Sequence, residues 1–254
     1  MSDRIRYSHL RAMSRSPMHY RAAASGETRV DSPAARLGTL VHGLVLGGDG
    51  GPVVYDGERR GNAWKEFASA NPGVEIVTAA EVARAVPIAD AVMADPVAGP
   101  LLRAEGARRE VRMEWELDGL PCSGTPDSFD PTTGVLLDLK TCSTAHPREF
   151  ANHAWRMSYH AQLAWYAHAL ELAGETVREC ILVAVETAAP HGVSVHRLAP
   201  RALAEGTRAW RAWWETLRIC RTADQWPGYA EAVCELDVPA WIADAGDEDD
   251  DAEA

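Results

Sequence analysis

Lysine is nearly missing from this sequence: the 25 basic residues are 23 arginines plus Lys65 and Lys140. Arginine therefore meets the general cationic need. A lysine kept against that bias invites a chemical explanation, because a compact ammonium shifts its pKa and acts as a point charge where a planar guanidinium does not. No run of about 18 apolar residues occurs, which excludes a membrane-spanning helix. Met1 to Tyr20 carries arginines without the apolar stretch of a secretion signal, so an intracellular, cytoplasmic protein is expected. The five cysteines (Cys122, Cys142, Cys180, Cys220, Cys234) form no C-x-x-C pair and no dense framework, so they are expected to be reduced and mostly buried. His146, His153, His160 and His168 show no i, i+4 pairing, which argues against zinc. Phosphate-loop and G-x-S-x-G patterns are also absent, so neither built-in ATP hydrolysis nor a serine hydrolase is indicated.

What is present is a 254-residue chain, 46% apolar, long enough for one large domain with a substantial core. Its net charge of -12 is unevenly spread. Residues 244–254 hold seven carboxylates and no base, leaving -5 for the rest, while residues 1–30 carry six arginines against two acids. Local basic patches determine attraction to phosphate, so the overall sign does not exclude a polyanionic partner. The acidic tail reads as disordered.

The first half reads as helical. Ser16-Pro17 and Ser32-Pro33 are N-cap-then-proline starts, and with a stop at Gly47-Gly48 the second predicts a helix from about Pro33 to Leu46. Thr78 with Glu81 makes a capping box, and Asp95-Pro96 starts a short helix. Residues 50–77 read as a less regular excursion. From about residue 109, Val111, Met113, Trp115 and Leu117 alternate with charged residues, which predicts a strand. Extended segments from Pro121 to Phe129 and Val135 to Thr141 would complete an antiparallel meander. A helical region from Pro147 to Ala173, strands at Val177 to Thr187 and Val193 to Leu198, and a helix from Arg201 to Arg221 follow, with Trp210, Trp213 and Trp214 expected in the core. The order predicts an α/β fold with a mixed central β-sheet flanked by helices.

The chemistry centres on Pro126-Asp127 and Asp138-Leu139-Lys140. Asp138 and Lys140 lie two apart on a predicted strand and share a face, while Leu137 and Leu139 point the other way. Asp127 falls on the preceding strand, across the turn at Thr132 to Gly134, which brings two carboxylates together. Their repulsion is removed by a hard divalent cation, with Mg²⁺ the natural candidate and Mn²⁺ a substitute. Lys140 then positions or helps deprotonate an attacking water and offsets charge on a phosphate.

This spacing resembles the PD-(D/E)xK nuclease superfamily. Gly38-Thr39-Leu40-Val41-His42 is similar to the G-x-x-x-H element, and Gln162-Leu163-Ala164-Trp165-Tyr166 to the Q-x-x-x-Y element, of the branch that includes lambda exonuclease, the RecB nuclease domain and exodeoxyribonuclease VIII. The opening around Tyr7 to Tyr20 and the ending Leu236-Asp237-Val238-Pro239-Ala240-Trp241 also look like the exodeoxyribonuclease VIII group, so the likeness spans nearly everything but the tail.

The resemblance implies a restriction-endonuclease-like core. It divides the chain into a nuclease domain over 1–243, helical over 1–106 and with a catalytic sheet core over 107–243, followed by the tail 244–254. It makes His42, Asp127 and Asp138 metal ligands, with the Leu139 carbonyl completing the shell, and Lys140 the catalytic lysine. Glu114 would bind a second metal or hold a water. Gln162 and Tyr166, one helical turn apart, would orient the catalytic groups or contact the DNA backbone. The implied activity is Mg²⁺-dependent exonucleolytic resection of duplex DNA ends, 5′ to 3′. The implied partners are a single-strand annealing recombination protein and further copies in a ring of three or four, with no membrane. A structure-specific or restriction-type endonuclease and a noncatalytic DNA-end-binding scaffold are the alternatives.

Overall fold

Short capping sequences set the helical first half. After α1 (Tyr7–Arg11) and a 3₁₀ turn (Ala12–Ser14), the Ser16 hydroxyl accepts from the His19 amide to start α2 (Pro17–Ser25). Ser32 does the same for Ala35 at the head of α3 (Pro33–Leu46), which ends on left-handed Gly47. Residues 50–77, expected to be irregular, instead contain β1 (Val53–Val54), α4 (Gly61–Ala70) and β2 (Ile76–Val77), the two strands pairing in parallel. The Thr78/Glu81 capping box opens α5 (Ala79–Ala94), and Asp95 Oδ1 accepts from the Val97 and Ala98 amides ahead of α6 (Ala98–Leu102). The computed structural model describes residues 4–28, 32–47, 52–74, 76–230 and 232–238. Gly48, the Pro239-Ala240-Trp241 ending and the acidic tail lie outside them.

The meander expected over residues 109–141 is two separate sheets. β4 (Met113–Leu117) and β5 (Leu120–Gly124) form a detached hairpin, whereas β3 (Arg108–Arg109) and β6 (Ser128–Asp130) join β7 (Val135–Cys142). Pro126 explains the split, since a residue without an N–H cannot carry a ladder from β5 into β6. Asp127 accordingly sits in the bend before β6 and not within a strand.

The helix expected from Pro147 to Ala173 is also two elements, α7 (Pro147–Arg156) and α8 (Tyr159–Leu172). Ser158 between them is left-handed (φ 58°), which breaks the ladder. Then come β8 (Glu179–Glu186), β9 (Val193–Arg197) and α9 (Pro200–Ala223).

The central sheet runs β3-β6-β7-β8-β9, with β7 and β8 parallel and the other pairs antiparallel. Leu137, Leu139, Ile181 and Val183 pack on one face beneath α3, α5 and α6. Leu136, Leu182 and Ala184 pack on the other beneath α1, α8 and α9, where Trp165 meets Trp210 edge-on at 5.3 Å. Trp210 and Trp214 are buried and Trp213 partly so. Gly206 lets the α9 backbone approach the His160 carbonyl on α8 more closely than any Cβ permits. Cys122, Cys142, Cys180 and Cys220 are buried free thiols, and Cys234 is exposed. Among the described residues no helix is long and apolar enough to cross a membrane.

Candidate active site

The site forms where β6 stops. β6 pairs with β7 only from Asp130↔Val135 to Ser128↔Leu137, so β7 continues past it with that edge free. The Leu139 amide, left without a strand partner there, donates to Asp127 Oδ2 at 2.7 Å. The N–H and C=O of one strand residue point to the same side, so the Leu139 carbonyl faces this opening too. Asp127 is itself anchored, because its carbonyl accepts from the Glu110 amide at 3.0 Å.

Alternation along β7 turns Asp138 and Lys140 toward α8 and Thr141 toward α3. A Cβ at Gly38 would lie 3.1 Å from Thr141 Oγ1, a tight contact that the bare glycine avoids where α3 rests on β7. One helical turn further on, His42 reaches round the open edge and places Nδ1 3.4 Å from Asp127 Oδ2. The Lys140 ammonium lies 2.5 Å from Asp138 Oδ2. Each acid thus leans on one base.

Burial and charge pull these groups apart electrostatically. Burial raises Asp138, and the neighbouring Asp127 charge adds to it, so its carboxyl is pushed up to about 6 despite Lys140. Burial works against ionised Asp127 as well, but His42, Lys140 and the Leu139 amide outweigh it and hold Asp127 below the ordinary carboxylate value. Burial alone would lower His42 and Lys140; the adjacent carboxylates reverse this and raise both. Lys140 therefore stays cationic.

Gln162 and Tyr166 come from α8, one helical turn apart. Both line a cleft of about 290 Å³ whose walls also include Arg6, Ser8, Arg112 and Ser123. Burial, then the Asp138 charge, pushes the Tyr166 phenol up to about 12. Gly124 makes room for the Tyr166 ring, since a Cβ would stand 2.7 Å from it. Glu114 is not brought to this group: on the detached hairpin it pairs with Arg4 at 2.8 Å and Arg112 at 3.1 Å. Tyr159 is a neighbour that residue patterns did not single out. Its ring centroid is 4.7 Å from Lys140 Nζ, and no periodicity signals a left-handed serine just before it.

Among the described residues no three His, Cys, Asp or Glu side chains are grouped closely enough to hold a metal ion by themselves. The donor types nevertheless suit a hard cation: two carboxylates, an imidazole and a backbone carbonyl lie along this strand edge, and buried Asp138 Oδ2 lacks a hydrogen bond of acceptable geometry even with the ammonium against it. A buried acceptor in that condition is costly unless something else binds it.

A mixed sheet covered by helices on both faces, with Pro-Asp and Asp-x-Lys meeting at a strand edge, defines a protein of the PD-(D/E)xK nuclease superfamily. More narrowly, the chain belongs to the family described as PDDEXK-like domain of unknown function (DUF3799), which it matches over residues 7–237. Its fold is similar to the crystal structure of a "putative exonuclease" from Eubacterium rectale, with a TM-score of 0.65 at 14% identity over 96% of this chain and 94% of that one. A phage-related exonuclease from Haemophilus somnus aligns at a TM-score of 0.36 and 12% identity, over 85% of this chain and 95% of that one. No curated protein matches the chain.

Proposed function

We propose that this chain is a divalent-metal-dependent deoxyribonuclease that hydrolyses phosphodiester bonds at duplex DNA ends. The observation that carries the reading is the meeting of His42, Asp127, Asp138 and Lys140 at the open edge of β7, where Leu139 ties the acids together. His42, the two aspartates and the Leu139 carbonyl would hold the cation. Mg²⁺, with Mn²⁺ as a substitute, would neutralise the acid pair, lower the pKa of water and draw charge from the phosphoryl oxygens.

This chain's own groups do the rest. Lys140, kept cationic by the aspartates, donates to the attacking water and offsets charge growing on the phosphate. Gln162 and Tyr166 orient the backbone entering the cleft, where Arg6 and Arg112 supply positive charge. The product on this reading is a single strand made by 5′ to 3′ resection for an annealing partner, with three or four copies encircling the duplex.

The test is digestion of 5′- and 3′-labelled linear duplex with a closed circle as control. Stepwise release from the 5′ label, an intact circle and no activity in EDTA are expected. A nicked or cut circle would make the protein an endonuclease, and DNA binding without hydrolysis would make it a scaffold.

A further inference from the structure

Lys140 stands between two groups, not one. Its ammonium touches Asp138 Oδ2 at 2.5 Å and lies 4.7 Å from the centroid of the Tyr159 ring. An aromatic face within about 6 Å attracts an ammonium through the negative potential of its π system, and more strongly where water is scarce. Here the pair is largely buried, with the Lys140 side chain 16% exposed.

The ring is held there by its surroundings. Tyr159 is the first residue of α8, directly after Ser158, whose left-handed backbone turns the chain sharply out of α7. A serine adopts that conformation at a cost and keeps it only when neighbours enforce it. The Tyr7 hydroxyl supplies that restraint, donating to the Ser158 carbonyl at 2.5 Å. On the other side the Tyr159 hydroxyl is 3.4 Å from His153 Nε2, and the Phe150 ring packs at 6.4 Å between centroids.

We propose that Tyr159 is a positioning residue: its ring is the second seat that keeps the Lys140 ammonium beside the reacting groups when Asp138 turns its oxygen to a divalent cation. The inference rests on the metal-dependent reading given above. Ammonium and metal ion compete for the same carboxylate oxygen. Without the ring, a buried ammonium released from Asp138 has only Asp127 as a charge partner, an acid the cation also claims, so it stays on Asp138 and opposes metal binding, or swings out and is lost to the reaction.

The test is a double-mutant cycle read by calorimetric binding of Mn²⁺ alone, with no DNA present, alongside thermal unfolding of each variant. Tyr159→Leu is expected to weaken Mn²⁺ binding roughly ten-fold. Tyr159→Phe, which keeps the ring and loses the hydroxyl, restores it. In a Lys140→Ala background, Tyr159→Leu changes Mn²⁺ affinity by less than about two-fold, because there is no ammonium left to seat. Equal weakening in both backgrounds, or no weakening in the presence of Lys140, would overturn the role of Tyr159 while leaving the nuclease reading standing. Failure of the unsubstituted protein to bind Mn²⁺ would overturn both.

Discussion

The Leu139 amide donates to Asp127 Oδ2 at 2.7 Å, so a main-chain group of β7 fixes the first acid relative to the second. The neighbouring residue on either side of Leu139 is Asp138 or Lys140, and the spacing between the three polar groups is therefore built into one strand and one hydrogen bond. Side-chain substitution at Asp127 can remove its charge without removing this tie.

Asp127→Asn is accordingly expected to fold, since the amide oxygen still accepts from Leu139, yet to lose about 100-fold or more in hydrolysis rate. Lys140→Gln should lose a similar factor through the missing positive charge. Single-turnover cleavage of labelled duplex, with circular dichroism melting as the fold control, checks both. Wild-type rates in either variant would remove these residues from the reaction.

Cation binding should stabilise the protein. At a concentration 100 times its dissociation constant, Mn²⁺ adds about 2.7 kcal/mol to unfolding free energy, and EDTA reverses it. Asp138→Asn, which withdraws the buried oxygen lacking a proper hydrogen bond, should abolish most of that gain. Thermal unfolding across an Mn²⁺ titration makes the comparison, and an equal shift in both proteins would place the cation elsewhere.

Gly38 is a spacing device for His42. Gly38→Val should force α3 off Thr141, destabilise by about 1–3 kcal/mol and slow hydrolysis as His42 moves from Asp127. Adding Thr141→Ala beneath it should return at least half of the lost stability. Denaturant unfolding of the single and double variants decides this; no recovery would mean that the contact is not what limits the helix.

Glu114 offsets part of the positive charge of Arg112, which lines the cleft. Glu114→Gln should therefore tighten duplex binding by a few-fold at low salt and steepen its salt dependence, leaving the Mg²⁺ requirement of hydrolysis unshifted. Fluorescence anisotropy at several salt concentrations and a Mg²⁺ titration of rate test the two halves. A changed Mg²⁺ requirement would make Glu114 a metal-site residue instead.

Much of this arrangement can be read from residue order. Alternation puts Asp138 and Lys140 on one face of a strand, and the Ser32-Pro33 start with a glycine stop marks α3 at Pro33–Leu46, where the structure has it. The superfamily is also recognisable from spacing, because Gly38 to His42 and Gln162 to Tyr166 are local patterns. Detachment of the β4–β5 hairpin is less legible: its residues alternate like any half-buried strand, and only the missing N–H of Pro126 hints that the ladder ends. The break at Ser158 has no local signal at all. The Tyr7 hydroxyl, 151 positions earlier in the chain, donates to the Ser158 carbonyl, and Tyr159 follows directly from that bend to its place over Lys140.

The brevity of β6 carries a last consequence. Two more residues of pairing would hand the Leu139 amide a carbonyl in place of Asp127 and give the sheet a tidier border. They would also wall off the gap through which an imidazole from one layer meets carboxylates from the other. On the proposed reading the reaction depends on an unfinished edge, and variants selected only for a higher melting temperature should tend to knit that edge shut.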